Sequence, residues 1–306
     1  MSALLRKLRG PDLAVDAGTA TVRVASSAGP GIHEGPARIG ECVALRGGVI
    51  ADADCGVAVV APLLARARRR GLTRPRVVAS VPTDADGGER AALSKVLHRS
   101  GAGAVAIVPE PLAAAVGTGI DVGSPYAQMV ADVGHGVTDC VVIRSGAIVA
   151  SAAQRVGCGD LEEAARRHVA ITCGVQLPRR VATALLLALR YGERPAGDGV
   201  VAVAASPGDP QVRLELAGLA EAIAPLYRAI LAVPAGLCLS VPDDVGAELV
   251  ENGVWVTGGG ALLPGLVDAL AARTGIEARR VADPLRAVVR GNRRMIATVD
   301  RLDAWV

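Results

Sequence analysis

The sequence contains no phenylalanine and few tyrosines or tryptophans, although half of its 306 residues are apolar. Its core must therefore be built from valine, leucine, isoleucine and alanine, a composition typical of α/β proteins with buried strands. A chain of this length can form one large domain or two. Lysine occurs only at positions 7 and 95, and the net charge of +3 is too small to indicate a nucleic-acid partner.

Other absences concern cysteine patterns and long apolar runs. The six cysteines form no CxxC pair and show no metal-ligand spacing, so we interpret them as small buried residues of a reducing cytoplasm. No apolar run is long enough, free of charge and glycine, to predict a membrane span, and no secretory signal is recognisable. Met1–Gly10 instead predicts either a short basic amphipathic helix that anchors weakly to a membrane surface or a frayed terminus.

Two stretches share one pattern of strand, aspartate, glycine-containing turn and strand. Asp12–Ala25 has this order around Asp16, and Ala131–Ile143 repeats it around Asp132. Each predicts a β-hairpin whose glycines let backbone N–H groups approach an anion. Two such hairpins could clamp one polyphosphate, with both aspartates converging on a hydrated Mg²⁺. The expected contacts are Gly18, Thr19, Ala20 and Thr21 in the first hairpin and Gly134, His135, Gly136, Val137 and Thr138 in the second.

Three further segments are candidates for the same site. Glu110 stands at a predicted helix start, where it either stabilises the helix N-terminus or orients a water that attacks a γ-phosphate. A glycine-rich helix entry provides a candidate phosphate or ribose contact through Gly157, Gly159 and Asp160. A third segment runs from a buried strand into three glycines and a helix, against which a flat ligand can lie. Its expected contacts are Gly258, Gly259, Gly260, Ala261 and Leu262.

Taken together, these motifs resemble the actin–Hsp70–hexokinase superfamily, and specifically bacterial actins of the MreB type. DLAVDAGTATVRV is similar to the family's first phosphate loop, ADVGHGVTDCVVI to its second, VPEPLAAAVGTG to the segment with the catalytic acid and VTGGGALLPGL to the adenosine motif. The resemblance implies an α/β, actin-like (ribonuclease H-type) duplicated two-domain fold with ATP and Mg²⁺ in the cleft between the domains. It assigns catalysis to Glu110 and water-mediated metal binding to Asp16 and Asp132.

The resemblance also predicts the domain boundaries. Residues 11–130 would form the first domain, completed by the C-terminal segment 283–306, and residues 131–282 would form the second. The family's small projecting subdomain is expected to be largely absent around residues 31–48, and the insert around 192–216 is expected to be reduced. Three local departures concern the nucleotide. His135 stands where the family usually has glycine, Thr21 stands where it usually has asparagine, and the helix around residues 176–184 lacks the acid that typically binds ribose.

The function implied is that of an MreB-like cytoskeletal ATP-binding protein in cell shape and cell-wall synthesis, with ATP hydrolysis, if present, slow and regulatory. Expected partners are copies of itself, full-length actin-like relatives and the cell-wall machinery, in the cytoplasm or at the inner membrane surface. Because the projecting surfaces are reduced, the pure protein is expected to be mostly monomeric or to form small oligomers. Two alternatives remain open: a non-polymerising ATP-dependent adaptor or regulator of the wall machinery, and a small-molecule kinase of the superfamily, although no substrate base is recognisable.

Overall fold

The computed structural model describes residues 11–68, 73–206 and 208–302, so the expected helix at Met1–Gly10 lies outside the described residues. The strands of the first part of the chain are β1 (Leu13–Ala17), β2 (Thr21–Ser26), β3 (Ile32–Pro36), β4 (Arg38–Ile39), β5 (Cys42–Val43), β6 (Leu45–Arg46), β7 (Val49–Ile50), β8 (Arg76–Val81) and β9 (Ala104–Pro109). The helices of this part are α1 (Ala53–Ala67), α2 (Gly87–Arg99) and α3 (Glu110–Thr118).

The second part of the chain begins with a long hairpin and ends in a helix. Its strands are β10 (Gln128–Val133), β11 (Thr138–Arg144), β12 (Ala147–Gln154), β13 (Arg190–Tyr191), β14 (Pro195–Ala196), β15 (Val200–Val203), β16 (Val212–Glu215), β17 (Val254–Thr257) and β18 (Ala278–Arg280). Its helices are α4 (Cys158–Cys173), α5 (Arg179–Ala188), α6 (Leu216–Ser240), α7 (Asp243–Asn252), α8 (Leu266–Thr274) and α9 (Ala287–Leu302).

The two parts contain sheets of the same topology. The described strands form one sheet in the order β3-β2-β1-β8-β9 and another in the order β12-β11-β10-β17-β18. In each sheet the first three strands pair antiparallel and the other two continue in parallel. The Asp16 hairpin and the Asp132 hairpin therefore occupy equivalent places in two copies of one design.

Helices α3 and α9 cross so closely that glycine is required in both. A Cβ added at Gly117 would lie 1.8 Å from the carbonyl oxygen of Ala287, and one added at Gly291 would lie 1.6 Å from that of Ala113. Helix α9 also contacts the first sheet through a hydrogen bond: the buried side-chain amide of Asn292 donates to the backbone oxygen of Val15 at 2.9 Å. The C-terminal helix therefore contacts the first sheet, while the predicted domain boundaries stay a prediction.

Polar contacts tie the second sheet to the first. The carboxylate of Asp139 accepts hydrogen bonds from the backbone N–H of Thr83 at 2.7 Å and from its hydroxyl at 2.5 Å. Arg155 donates to the backbone oxygen of Gly47 at 2.8 Å and forms ion pairs with Asp84 and Glu89 at 2.9 and 3.0 Å. These contacts fix the two hairpins relative to one another.

The two segments expected to be short contain only small β-structures. Residues 31–50 form the edge strand β3 and two ribbons, β4–β5 and β6–β7, with no helix in this described segment. The described residues between 189 and 216 form the ribbons β13–β14 and β15–β16. These segments are therefore built from local hairpins.

The cysteines differ from the sequence interpretation. Cys55 and Cys140 are buried, but Cys42 is exposed and the other three are partly exposed. The sulfur atoms of Cys42 and Cys55 lie next to each other where β5 packs against α1. The interpretation of all six as buried residues was therefore wrong, because Cys42 lies on a short exposed ribbon and three others lie at partly exposed positions.

Helix α6 is long and apolar enough to cross a membrane by length and composition alone, and no other helix among the described residues meets these criteria. Half of its apolar window is buried in the protein, where Leu219, Ile223 and Tyr227 belong to the core of the second sheet. The ring of Tyr227 packs against that of Tyr191 at 5.1 Å, which supplies aromatic packing in a core without phenylalanine. The helix thus forms part of the protein core.

Candidate functional site

The two hairpins open onto one cavity of about 350 Å³. This volume lies within the range of pockets that bind small molecules and cofactors. The cavity also receives the start of α3 and the glycine turn after β17. The predicted contacts on its wall are Asp16, Gly18, Thr19, Ala20, Thr21, Glu110, Asp132, Gly134, His135, Gly136, Val137, Gly258, Gly259 and Leu262.

The turns of the two hairpins touch one another across the cavity. The hydroxyl of Thr19 accepts a hydrogen bond from the N–H of Gly48 at 2.8 Å, which fixes the first turn. In the second turn the N–H of Gly134 donates to the oxygen of Val137 at 2.9 Å. A Cβ added at Gly136 would lie 2.6 Å from the hydroxyl of Thr19, so the turns can meet only because residue 136 has no side chain.

The glycine turn after β17 approaches the second hairpin equally closely. Gly258 has a φ of +78°, and a Cβ there would lie 2.3 Å from Oδ1 of Asp132 and 2.4 Å from the backbone oxygen of Val133. Only glycine fits both this angle and this approach. The hydroxyl of Thr257 donates to the backbone oxygen of Pro284 at 3.0 Å, which fixes the turn from the other side.

Some predicted contacts lie behind the cavity wall. The hydroxyl of Thr138 is fully buried and donates to the backbone oxygen of Val156 at 2.8 Å. A Cβ on Gly159 would lie 2.4 Å from the ring of His135, so this glycine forms the floor beneath the imidazole. The predicted contacts that support the wall from behind are Thr138, Gly157, Gly159, Asp160, Gly260 and Ala261.

Three of the four carboxyl groups on the cavity wall have raised pKa values. Burial, reinforced by the charges of Asp16 and Asp139, raises the pKa of Asp132 to about 8. Loss of hydration, together with the charges of Asp132 and Asp16, raises the pKa of Glu110 well above its usual range. Burial also raises the pKa of Asp16, although Arg23 opposes this effect. Without a bound cation, the cavity therefore favours protonated acids.

The two aspartates differ in their partners. Asp132 is 5% exposed and accepts no hydrogen bond within the described part of the chain. Asp16 is 4% exposed and forms an ion pair with Arg23 at 3.2 Å. No group of three or more acidic, histidine or cysteine side chains among the described residues could enclose a metal ion. A Mg²⁺ ion that keeps several waters and uses one or two carboxylates plus phosphate fits this donor set, with Asp132 as the free carboxylate.

A polar chain that was not predicted lies at the His135 end of the cavity. Oε1 of Glu162 accepts a hydrogen bond from the hydroxyl of Thr183 at 2.7 Å, and Oε2 lies 3.2 Å from Nε2 of His135. Burial alone would raise the pKa of Glu162, but the hydrogen bonds from His135 and Thr183 outweigh it and lower the pKa. Glu162 is therefore an ionised acid beside α5, the helix that carries Thr183.

Sequence reasoning missed a further group of wall residues. Arg23 was detectable, because it is the direct cross-strand neighbour of Asp16 in the predicted hairpin. Glu162 lies one helical turn after Cys158 and on the same face of the helix. This spacing would predict Glu162 as a site residue only if that face were already known to contact the cavity. The unpredicted wall residues are Arg23, Gly48, Cys158, Glu162, Thr183, Leu186, Leu187, Leu263, Pro284, Leu285 and Val288.

Leucines line part of the cavity wall. Leu187, Leu262 and Leu285 are 47%, 38% and 42% exposed, although they lie on the wall of a concave site. Exposed apolar side chains grouped in a pocket are typical of a surface that receives a flat apolar ligand group. The cavity wall thus combines glycine turns and acids with exposed apolar side chains.

Duplicated sheets of one topology, two touching glycine turns and an acidic cavity between them define an actin-like α/β protein. The family model described as MreB/Mbl protein matches residues 13–304. The chain belongs to the MreB/Mbl family. This finding confirms the resemblance given by the four sequence motifs.

Individual relatives agree with this assignment. The chain is 30% identical over 274 residues to the cell shape-determining protein MreB of Escherichia coli K12, which covers 87% of this chain and 78% of the relative. It is 27% identical to the cell shape-determining protein Mbl of Bacillus cereus, with 84% and 79% covered. The family in which the chain is placed therefore includes proteins named for determining cell shape.

Solved structures confirm the predicted actin-like fold. The crystal structure of MreB 5 of Spiroplasma citri bound to AMPPNP superposes with a TM-score of 0.82 at 20% identity, covering 96% of this chain and 98% of that chain. A MamK double helical filament superposes with a TM-score of 0.77 at 17% identity, covering 94% and 99%. At these identities the likeness concerns the fold.

Proposed function

We propose that this protein is an MreB-like cytoskeletal protein that binds ATP in the described cavity and acts in cell shape and cell-wall synthesis. The observation that carries the proposal is the close approach of the turns at Gly136 and Thr19, which brings both hairpins to the wall of one cavity. Two such turns form concave anion sites that face each other. Family membership supports the cell-shape role, and the nucleotide bound to MreB 5 of Spiroplasma citri supports the ligand.

In this proposal the polyphosphate lies between the two turns and the base lies against the leucines. The apolar wall of Leu187, Leu262 and Leu285 would cover a purine ring, while the glycines at 258 and 259 leave room beside it. Glu162, held by Thr183, is suited to bind a sugar hydroxyl. Asp132, assisted by Asp16, would hold a hydrated Mg²⁺ that neutralises phosphate charge when it is bound.

Glu110 is proposed to orient the water for a slow hydrolysis of ATP. Its side chain lies on the cavity wall at the start of α3, where a carboxylate can accept a proton from water near a γ-phosphate. The raised pKa of Glu110 in the ligand-free cavity means that it must lose a proton before it can act as a base. A bound cation would lower that pKa, so catalysis would depend on nucleotide and metal being bound together.

Assembly is proposed to involve other copies of this chain or full-length actin-like relatives, in the cytoplasm and at the inner membrane surface. The MamK filament shows that a protein of this fold can form open polymers. In this chain the ribbons of residues 31–50 add little projecting surface, which favours monomers or small oligomers of the pure protein in solution. Longer polymers would then need a relative or a membrane surface.

Calorimetric titration with ATP, combined with sedimentation and negative-stain microscopy, tests the proposal. Saturable binding of ATP supports the cavity assignment, and absence of binding at millimolar ATP contradicts it. Short or absent polymers of the pure protein, extended on addition of a full-length relative, support the assembly model. Binding without polymers under any condition would favour the adaptor alternative, and phosphate transfer to a small molecule would favour the kinase. A deletion of residues 1–10 that lowers liposome binding would support the membrane contact.

A further inference from the structure

We propose that a basic groove between α9 and the β2–β3 turn binds the phosphate of an anionic lipid headgroup. The groove has a volume of about 620 Å³ and shares no described wall residue with the nucleotide cavity. Arg293 and Arg294 are the charged residues on its wall, and no carboxylate lies among the described residues that line it. The inference rests on the proposed contact with a membrane surface and does not depend on the binding of ATP.

Helix α9 brings Arg293 to the edge of the first sheet. Arg293, Ile296 and Ala297 share one face of α9, since residues three and four apart are neighbours on a helix. Ile296 is buried against the first sheet, in a cluster that includes Ala25 of β2. The same face therefore meets the turn after β2, where Nη1 of Arg293 donates to the backbone oxygen of Gly29 at 3.0 Å.

Both arginines are held in place by backbone oxygens rather than by acids. Nη1 of Arg294 donates to the backbone oxygen of Val116 at 2.5 Å, in the last turn of α3, where the helix dipole favours a cation. Neither arginine forms an ion pair within the described part of the chain. A guanidinium offers five N–H groups in a planar fork that matches phosphate oxygens, and each of these two uses only Nη1 among the described residues. The groove wall therefore carries two positive charges with unused hydrogen-bond donors.

The β2–β3 turn offers a phosphate few backbone donors. The N–H of Ser27 donates to the oxygen of Asp12 at 2.9 Å, and that of Ala28 donates to Oγ of Ser26 at 3.2 Å. Sites that bind free phosphate usually gather several unbonded backbone N–H groups around it. This groove is therefore better suited to phosphates that are concentrated at a charged surface than to a phosphate free in solution.

The N-terminal segment joins the described chain beside this groove. Asp12, whose oxygen accepts the hydrogen bond from Ser27, directly follows Pro11. Residues 1–10 contain three leucines and three cations. A single weak anchor gives only reversible binding to a membrane, and stable attachment takes a second signal. A headgroup held by Arg293 and Arg294 would supply that second contact next to the first.

Co-sedimentation of the full chain with vesicles of phosphatidylcholine, with and without phosphatidylglycerol, tests the proposal. The wild type should bind the vesicles that contain phosphatidylglycerol. Arg293→Gln combined with Arg294→Gln should weaken this binding at least about tenfold, since each basic residue near an anionic surface strengthens binding about fivefold. Arg294→Gln alone, at an exposed position, should weaken it about fivefold. Circular dichroism and unchanged ATP affinity check that the variants are folded, because neither arginine lies on the nucleotide cavity wall.

The matched control removes the same charge elsewhere. Arg213 on β16 and Arg228 on α6 are exposed and have no ion pair within the described residues. Arg213→Gln combined with Arg228→Gln should change vesicle binding by less than about twofold, because salt screens charges that lie far from the lipid surface. Equal weakening by both pairs of substitutions would overturn the proposal, since the effect would then come from net charge.

The remaining outcomes separate the groove from the proposed membrane contact and from a soluble ligand. Unchanged vesicle binding in the groove variants would overturn the inference, while a loss on deletion of residues 1–10 would still support the membrane contact. Calorimetric titration with inorganic phosphate and with glycerol phosphate should show no saturable binding at about millimolar concentration. Saturable binding that the groove variants abolish, with vesicle binding unchanged, would assign the groove to a soluble anion and overturn the lipid role. Absence of vesicle binding by the wild type would overturn the membrane contact and the inference together.

Discussion

Replacing Gly117 by alanine should destabilise this protein strongly and disturb its cavity. Real Cβ atoms essentially never lie within 3.0 Å of such neighbours, and the added Cβ would lie 1.8 Å from the oxygen of Ala287, so the backbones of α3 and α9 must separate by at least about 1.2 Å. The obstructing atoms belong to the backbone and cannot rotate away. Overpacking typically costs about 1–3 kcal/mol, and we expect about 3 kcal/mol or more here. This is a large share of the roughly 5–15 kcal/mol that stabilises a typical domain.

A matched control lies in α6. Gly236 is an exposed helical glycine, and a Cβ there would meet no atom within 4 Å. Gly236→Ala should therefore raise stability by about 0.5–1 kcal/mol, since alanine loses less conformational freedom than glycine on folding. The two substitutions are chemically identical, and only the local space differs. If Gly117→Ala lowers the free energy of unfolding and Gly236→Ala raises it, the loss at Gly117 is caused by the helix crossing.

The assay is urea unfolding followed by circular dichroism, with ATP titration of the folded variants. Because Glu110 begins the same helix that carries Gly117, displacement of α3 should also weaken ATP binding or slow turnover. The reasoning is refuted if Gly117→Ala changes the free energy of unfolding by less than about 0.5 kcal/mol, the range of ordinary surface substitutions. That result would mean that the helices do not cross as closely as the two glycines indicate.

Three further substitutions test the cavity itself. Asp132→Asn should reduce the pH dependence of the free energy of unfolding in the absence of ligand. In the folded protein the pKa of Asp132 is about 8, above its value in the unfolded chain. Its contribution to the free energy of unfolding is therefore complete below about pH 4 and falls as the pH rises towards 8, by up to about 1.4 kcal/mol per pH unit. Thermal unfolding at several pH values measures this, and an unchanged slope would contradict it. Gly136→Ala should weaken ATP binding about tenfold or more by pushing Thr19 away, whereas Gly31→Ala, with open space around its Cβ, should not. Glu110→Ala should retain ATP binding and lose turnover; equal loss of both would indicate a structural role at the helix start.

Most secondary structure was predictable because its signals are local. The apolar pattern around Asp16 predicts strands at Leu13–Val15 and Val22–Ala25, and the observed strands extend only one or two residues further at their ends. The sequence also predicts a helix at Leu219–Leu231, but α6 begins at Leu216 and continues to Ser240 through Pro234. Proline removes one helical hydrogen bond, and burial of Leu237 beyond it outweighs that loss in the folded protein.

The cavity residues that belong to glycine turns could be predicted from the sequence. Those whose side chains come from helices distant in the sequence were harder to predict. Glycine-containing turns can be recognised from the sequence, so Gly18, Gly136 and Gly258 were predicted as contacts of the site. Glu162 was not predicted as a site residue, because two consecutive acids on a helix, Glu162 and Glu163, are typical of its solvent-facing side. The helix entry before it was expected to bind the ligand, but Gly159 instead supports His135, and the following turn delivers Glu162 to the wall. Which face of a helix meets a cleft is decided by packing between distant segments.

The charges of the cavity should couple the proposed binding of nucleotide to the binding of a cation and to the protonation of acids. Asp132 and Glu110 have raised pKa values, so at neutral pH the ligand-free cavity keeps protons on acids that a bound cation would ionise. Binding of a metal together with the nucleotide should therefore release protons. The affinity of the cavity for the metal and nucleotide together should rise with pH up to about 8. Arg23 pairs with Asp16, and its charge also lowers the pKa values of Asp132 and Glu110 without overcoming the effect of their burial. Glu110 should therefore gain its basic form only when a bound cation lowers its pKa further.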